Sequence, residues 1–357
     1  MNDVQGADSI VVDTTARIFR DLGDPQTINN ARDDAWAAPL WQALEENGLT
    51  LAWVPDALGG AGAEIADGFD VLRVAGQFAV PVALAETLLA GWLLAQADLE
   101  CPSGPMSIAP VGDDDHIALA DDGTLSGRAG TVPFARDAAH LAVLAERGST
   151  PAVALVEASA CALSEGAGIA GDPRDVVTFD GAAPLAVRDA PAGFTQETLR
   201  LMGAAVWAQQ MAGALQGILD MSVQYAKERI AFERPIGKFQ AVQQNLARLA
   251  GETAAALAAA GSAADTIQQS QDFDDTVLLE AASAKIRVGE AAGEGAAIAH
   301  QVHGAIGFTQ EHILHRYTRR LWGWRDEFGS ESVWAVRLGR HVAANGADAL
   351  WPMLAAR

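Results

Sequence analysis

Apolar positions recur every three or four residues at both ends of the chain, a spacing that predicts helices with one buried stripe. Val11, Thr15, Ile18, Phe19 and Leu22 form one such stripe, Leu72, Ala75, Gly76 and Ala79 a second, and Leu84, Leu88, Gly91, Trp92 and Ala95 a third. Between the first two, Pro55, Gly59, Gly60 and Gly62 interrupt the pattern and predict an irregular loop. From about residue 102 to 191 helical spacing disappears. Short β-prone runs at 117–120, 140–144, 152–156 and 176–179 replace it, separated by Gly, Asp and Pro, as in a small antiparallel sheet or barrel. After Phe194 the helical period returns and continues to the end of the chain. Leu215, Ile218, Leu219, Ser222, Tyr225, Ala226 and Arg229 lead into a loop carrying Pro235 and Gly237, and Val242, Leu246, Leu249 and Thr253 resume the spacing beyond it. Alanine-rich residues 253–264 suit close helix packing. A polar connector at 268–275, a helix over 276–300, a stop at Gly304 and Gly307, and a last helix after Ser330 complete the reading. The pattern divides the chain into a helical segment 1–105, a β segment 106–191 and a helical segment 192–357.

Charge narrows the choice of ligands. With 24 basic and 46 acidic residues the formal net charge is −22, which repels nucleic acid but leaves room for an anionic ligand at a local basic patch. Cys101 and Cys161 are too few for a disulfide framework and read as small hydrophobes in a reducing compartment. The N-terminus lacks a basic region followed by an apolar core, and no run reaches the ~18 apolar residues of a membrane span, so a cytoplasmic location is expected. The Gly59–Gly62 cluster carries neither a P-loop Lys-Ser/Thr nor GxGxxG. Asp113, Asp114 and Asp115 lack the EF-hand's later ligands and read as a solvated turn. The pairs His300/His303 and His312/His315 have metal-compatible spacing without a zinc signature, and no metal is expected. Trp322, Trp324 and Trp334, beside Arg319, Arg320 and Arg325, read as bundle core and subunit packing rather than as a stacking site.

Two loop motifs remain. The first is Arg229-Ile-Ala-Phe232-Glu233-Arg-Pro235-Ile-Gly237-Lys-Phe239-Gln240-Ala-Val-Gln, and the second is Gln301-Val-His303-Gly304-Ala305-Ile-Gly307-Phe308-Thr309-Gln-Glu311. They resemble Arg-x-x-Phe-Gly-x-Pro-Ile…Phe-Gln-x-Val-Gln and Gln-x-x-Gly-Gly-x-Gly-Tyr-x-x-Glu of the acyl-CoA dehydrogenase family, and the helical–β–helical order matches as well. The resemblance implies an α+β, mainly α fold, with an N-terminal helical domain, a small antiparallel β-domain and a C-terminal four-helix bundle. It implies an FAD-dependent oxidoreductase of lipid catabolism that passes an acyl-CoA α-proton to a carboxylate and a β-hydride to FAD N5. Carried over by position, Arg229, Phe232 and Gln240 hold FAD, and Gln301, Gly304 and Gly307 admit it to close backbone contact, typically across a subunit interface. The implied partners are an acyl-CoA substrate, an electron-accepting flavoprotein, and either copies of this chain or a related subunit.

The chain departs from this pattern at named positions. Glu233 and Ala305 stand where the family has Gly. Counting onward from Gln301 at the family's spacing to the catalytic Glu reaches Phe328, with Glu327 one residue earlier and Asp326 two; Glu327 is the candidate base and Asp326 the alternative. Other members carry the base on the first helix of the C-terminal domain, where this chain has Gly203. The family's Thr-Glu-Pro…Gly-Ser-Asp segment is not visible near residues 107–113, and Thr131-Val-Pro133-Phe134 resembles divergent members, some of which pair as heteromers. A non-catalytic subunit that helps to enclose a partner's FAD is therefore the second expectation, and a ligand-free interaction protein the third.

Overall fold

In the computed structural model, which describes residues 4–112, 114–270 and 272–355, the N-terminal segment is helical. It comprises α1 (Val4–Leu22), α2 (Pro25–Asn30), α3 (Ala37–Glu46), α4 (Ile65–Phe78) and α5 (Leu84–Gln96). The polar member of the α1 stripe, Thr15, is fully buried because its Oγ1 donates to Val11 O of the preceding turn at 2.7 Å. Phe19 of α1 stacks on Phe78 of α4, with ring centroids 5.5 Å apart. The glycine-rich loop before α4 is a packing device: a Cβ at Gly60 would come within 2.1 Å of Val54 O, and within α4 one at Gly68 would come within 2.1 Å of Nε1 of Trp53 from that loop.

Strands β1 (Met106–Ala109), β2 (His116–Leu119), β3 (Leu125–Pro133), β4 (His140–Arg147), β5 (Thr150–Glu157), β6 (Ala162–Ser164), β7 (Arg174–Ala182) and β8 (Ala186–Asp189) form one sheet in the order β6-β7-β3-β2-β4-β5-β8. The sheet is mixed. Most neighbours are antiparallel, as expected, but β1 runs parallel to β4 in the register Met106↔His140 to Ala109↔Val143, and β2 meets β4 in parallel at Ala118↔Glu146. Residues 141–145 of β4 are all buried, as in strands covered on both faces, whereas β7 alternates. Thr87 of α5 ties the helices to the sheet: its Oγ1 donates to Ala83 O and receives Met106 N.

Asp115 does not sit in a solvated turn. Its Oδ2 accepts the Val111 and Gly112 amides, and its Oδ1 accepts Gly130 N at 2.7 Å. A carboxylate spaced to reach three amides organises the β1–β2 loop; Asp113 lies outside the described residues. Both cysteines are free; Cys101 is buried and Cys161 half-buried, and burial pushes their thiols up to about 12 and about 11.

The C-terminal segment comprises α6 (Gln196–Glu228), a small hairpin of β9 (Ile230–Ala231) and β10 (Arg234–Pro235), α7 (Gln240–Gln269), α8 (Asp275–His303), α9 (Leu314–Trp324), α10 (Glu331–Asn345) and α11 (Ala347–Ala355). The small side chains of Ala256, Ala260, Ala263 and Ala264 are buried on α7, and Ala281, Ala284, Ala291, Ala292 and Ala296 on α8, so the two long helices approach closely. Asp274 caps α8 by accepting Thr276 N and Val277 N. Ser330 occupies the cap position of α10 as expected, but its side chain makes no capping hydrogen bond. The chain divides into two compact units, Met1–Arg200 and Leu201–Arg357. Among the described residues no helix is long and apolar enough to cross a membrane.

Candidate active site

Unit Leu201–Arg357 holds both loop motifs. Where α6 stops, Arg229 N still donates to Tyr225 O, and the chain then folds back as β9–β10, with Ala231 opposite Arg234. The two residues between them, Phe232 and Glu233, have φ of 50° and 67°. Positive φ at both central positions of a two-residue hairpin is what a type I′ turn demands, and that turn prefers Gly at its second position. Glu233 thus adopts a glycine conformation, which for a residue with a Cβ costs roughly 1–2 kcal/mol. Phe232 projects from the turn at 90% exposure, and its ring meets Phe239 edge-on with centroids 6.1 Å apart. The Arg234 guanidinium lies 4.2 Å over the Phe239 ring. Gln240, exposed, begins α7.

The second motif ends α8. Gln301 is exposed on the last turn, and Gly304 stops the helix with φ 63° and open space where a Cβ would stand. Gly307 differs: it is buried, and a Cβ there would lie 2.9 Å from His303 Cβ and 3.1 Å from Leu314 Cδ2. Its bareness serves an internal contact. Rings join the two motifs: Tyr225, one turn before Arg229, stacks on His303, just before Gly304, with centroids 4.5 Å apart, and His312 closes on His303 at 4.7 Å.

His303 Nδ1 lies 2.8 Å from Ala299 O, so that nitrogen carries the proton, because a carbonyl only accepts. Burial pushes His303 down to about 4, and burial first, then neighbouring histidines, lowers His300 and His312. These rings are a neutral structural cluster at physiological pH. Among the described residues no group of three or more His, Cys, Asp or Glu is disposed to hold a metal. Of the tryptophans, Trp324 and Trp334 are buried and Trp324 packs against Trp207 at 5.7 Å.

Glu327 lies in the turn between α9 and α10 and is only 1% exposed. Its amide donates to Trp324 O at 3.3 Å, and Gly329 N donates to Asp326 O at 3.2 Å. The neighbouring Phe328 has φ 50° and a buried ring, and Trp334 Nε1 donates to its carbonyl at 2.9 Å. That ring covers Gly203, where any Cβ would fall 2.4 Å from it. The two positions at which family resemblance sought a base, 328 and 203, are thus neighbours in space, and Phe328 fills the room a side chain at 203 would need. Asp326, one residue before Glu327, is exposed.

In unit Met1–Arg200 a cavity of about 780 Å³ is lined by Trp36, Trp41, Phe134, Pro81 and Asp172 among others. Asp34, Glu45 and Asp137 add further carboxylates to its wall, a charge unsuited to coenzyme phosphates. Glu86 of α5 is buried nearby in sequence, and burial, opposed by Arg174, pushes its carboxyl up to about 7. Between its ordinary 4.5 and about 7 the folded state holds a proton that the unfolded state has released. Stability therefore falls as pH rises through that window. Glu86→Gln is expected to leave the thermal midpoint nearly unchanged at pH 4 and to stabilise the chain by roughly 3 kcal/mol at pH 8, read by thermal melts at both pH values. An equal effect at both would show that Glu86 does not titrate in this window.

Comparison with known proteins matches this geometry to one family. Residues 193–342 match the acyl-CoA dehydrogenase C-terminal domain. The chain is 30% identical over 309 residues to the acyl-CoA dehydrogenase IpdE2 of Mycobacterium tuberculosis, covering 82% of this chain and 83% of that one. Among solved structures it superposes on the ChsE4–ChsE5 complex from Mycobacterium tuberculosis with a TM-score of 0.84 at 24% identity, covering 96% of this chain and 98% of that one. A variant of the Tcur3481–Tcur3483 steroid ACAD follows with a TM-score of 0.82 at 25% identity, covering 96% and 99%. The chain belongs to the acyl-CoA dehydrogenase family of oxidoreductases, whose cofactor is FAD.

The residues on this surface fit that cofactor. Arg229 is exposed and makes no ion pair among the described residues, the Phe232 ring is spent on no core, and Gly304 leaves its backbone open. An anion with a flat ring system would find a cation, an aromatic face and bare backbone among these residues. Glu233 opposes the fit through its charge and its strained backbone. Glu233→Gly is expected to raise the thermal midpoint, consistent with roughly 1–2 kcal/mol, and to tighten FAD binding in a cofactor titration. Weaker binding would mean that the carboxylate contacts the cofactor favourably.

Three residues of this region escaped the sequence reading of the site. Tyr225 was legible only as a helix position and His303 only as half of a metal-like pair. Lys285 lies within the buried run Ala281, Ala282, Ala284 and Val288 of α8; a charge inside an apolar stripe was its available signal.

Proposed function

We propose that this chain is a catalytic acyl-CoA dehydrogenase in which Glu327 takes the α-proton of an acyl thioester. The observation that supports this most is the burial of Glu327 in a turn pinned on both sides by hydrogen bonds. A carboxylate held in a water-shielded turn is positioned to take the substrate proton, which it accepts on a carboxylate oxygen as the α-carbon's electron pair forms the new double bond. FAD, when bound, supplies the oxidant that accepts the hydride from the β-carbon. Arg229 and Gln240 are assigned to its phosphates and polar groups, Phe232 to its ring faces, and Gln301 and Gly304 to its close backbone approach, with buried Gly307 shaping the loop from within through its contact with His303 and Leu314. Asp326 stands as the alternative base. In this reading segments 1–105, 106–191 and 192–357 are the family's three domains. The substrate is an acyl-CoA, the electrons leave to a flavoprotein acceptor, and the assembly is a homo-oligomer or a heteromer.

A second reading has its own observation. Phe328 stands at the spacing counted for the base and packs over Gly203, so neither of these two positions carries a group that can take a proton. This favours a subunit that completes a partner's site, and the neighbour solved as the ChsE4–ChsE5 complex makes the arrangement worth testing. Flavin content measured together with the native mass separates the two. A homo-oligomer with one FAD per chain supports the first reading; a colourless chain that gains FAD only with a co-expressed relative supports the second.

A further inference from the structure

The turn that carries Glu327 is held from below by α8. Lys285 is fully buried, yet its Nζ donates to two backbone carbonyls, Trp324 O at 3.0 Å and Arg325 O at 2.8 Å. These carbonyls end α9, where helix geometry leaves acceptors unpaired. Trp324 O is shared, because it also accepts the Glu327 amide. The Lys285 ammonium and the backbone amide of Glu327 thus converge on one oxygen. Two further positions on the same face of α8, Gly289 and Gly293, follow Lys285 at four-residue spacing. A Cβ at Gly289 would come 2.9 Å from Glu331 Oε2, and one at Gly293 3.6 Å from the Arg325 guanidinium. Arg325 and Glu331 are ion-paired across the turn, with Arg325 Nε 3.2 Å from Glu331 Oε2. One face of α8 therefore supplies a donor for the carbonyls and room for the pair that bridges the turn.

We propose that Lys285 is a positioning residue for the reaction: by holding the carbonyls of Trp324 and Arg325 it fixes the direction in which Glu327 leaves α9. The proposal rests on Glu327 being the base. Satisfying those carbonyls is also a folding role for Lys285, one that the kinetic readouts separate from positioning. Burial pushes its ammonium down to about 7, against the smaller pull of Glu331 and Asp326, and a well-packed aliphatic side chain is often no less stable than a buried charge. Arg325, Glu331 and Asp326 are the charged groups facing it. The neutral amine still offers two N–H donors for the two carbonyls, so the hold survives deprotonation. A shift of the base by about 1 Å is enough to cost on the order of a hundredfold in rate.

The test compares Lys285→Met with Glu327→Gln in the flavin-loaded protein, following turnover per bound flavin, KM and solvent-deuterium exchange at the substrate α-carbon. Lys285→Met is expected to lower kcat and the exchange rate by roughly 10- to 100-fold across the pH range, with KM and flavin content unchanged. Lys285→Gln, which keeps a donor, is expected to recover part of the loss and serves where the Met variant does not fold. Full kcat per flavin in either variant, with Glu327→Gln inactive, would overturn the positioning role and leave the base assignment standing. A fully active Glu327→Gln would overturn both, by removing the base itself.

Discussion

Glu327→Gln is expected to lower kcat by about 10²–10⁴-fold while FAD content and the native mass stay unchanged. Gln matches Glu in size and keeps hydrogen-bonding capacity, so a side chain that is 1% exposed can be replaced without opening a cavity. What it loses is the basic oxygen. Rate loss through proton transfer rather than binding should appear in kcat and kcat/KM together, with the substrate's dissociation constant little changed. Asp326→Asn is the companion variant. Its turn carbonyl, not its side chain, accepts Gly329 N, so its loss should be small if Glu327 is the base. A reversal of the two effects would move the assignment to Asp326.

The second large effect is expected at Arg229. Arg229→Ala should weaken FAD binding roughly ten- to hundredfold, because a hydrogen bond to a charged group is worth about 1.5–3 kcal/mol. The loss should shrink at high salt, since an exposed guanidinium is screened there. Arg229→Lys should fall between, keeping charge but losing the planar fork. Cofactor titration of the apoprotein reads all three. Melting should change little, because the exposed Arg229 side chain pairs with no carboxylate among the described residues, and its amide bond to Tyr225 O survives substitution. Unchanged affinity in the Ala variant would remove Arg229 from the cofactor site.

How much of this was legible in the sequence depended on periodicity. The long helices α7 and α8 announced themselves by repeatedly spaced buried positions and α6 by its stripe from Leu215 to Arg229, although residues 201–215 are buried all round, and the glycine pair at 304 and 307 marked the end of α8. Strand β1 was missed because four buried residues show no alternation, and β3 because Gly127 and Gly130 interrupt it alongside two register shifts. The β9–β10 hairpin gave no signal, since Phe232-Glu233 lacks the Asn-Gly that usually marks a type I′ turn. Helix α11 was merged with α10 because Gly346 alone separates them.

The candidate site was legible as two motifs and a displaced carboxylate, but not as an arrangement. Nothing in residue spacing says that Tyr225 meets His303, that Phe328 covers Gly203, or that Lys285 reaches the end of α9. Each is a contact between elements distant in sequence, decided by packing. The same contacts give the departures from the family's pattern a physical meaning. Glu233 occupies a backbone conformation that suits glycine. Phe328 at the counted position closes the space over Gly203 and leaves Glu327 as the buried carboxylate of the turn.

The most direct test of the central claim is anaerobic titration of the purified, FAD-loaded chain with acyl-CoA thioesters, following the flavin's visible absorbance. Bleaching that saturates near one equivalent per chain, abolished in Glu327→Gln at the same flavin content, is the expected result. Flavin that stays oxidised with every thioester, although it remains bound, would contradict a catalytic role for this chain.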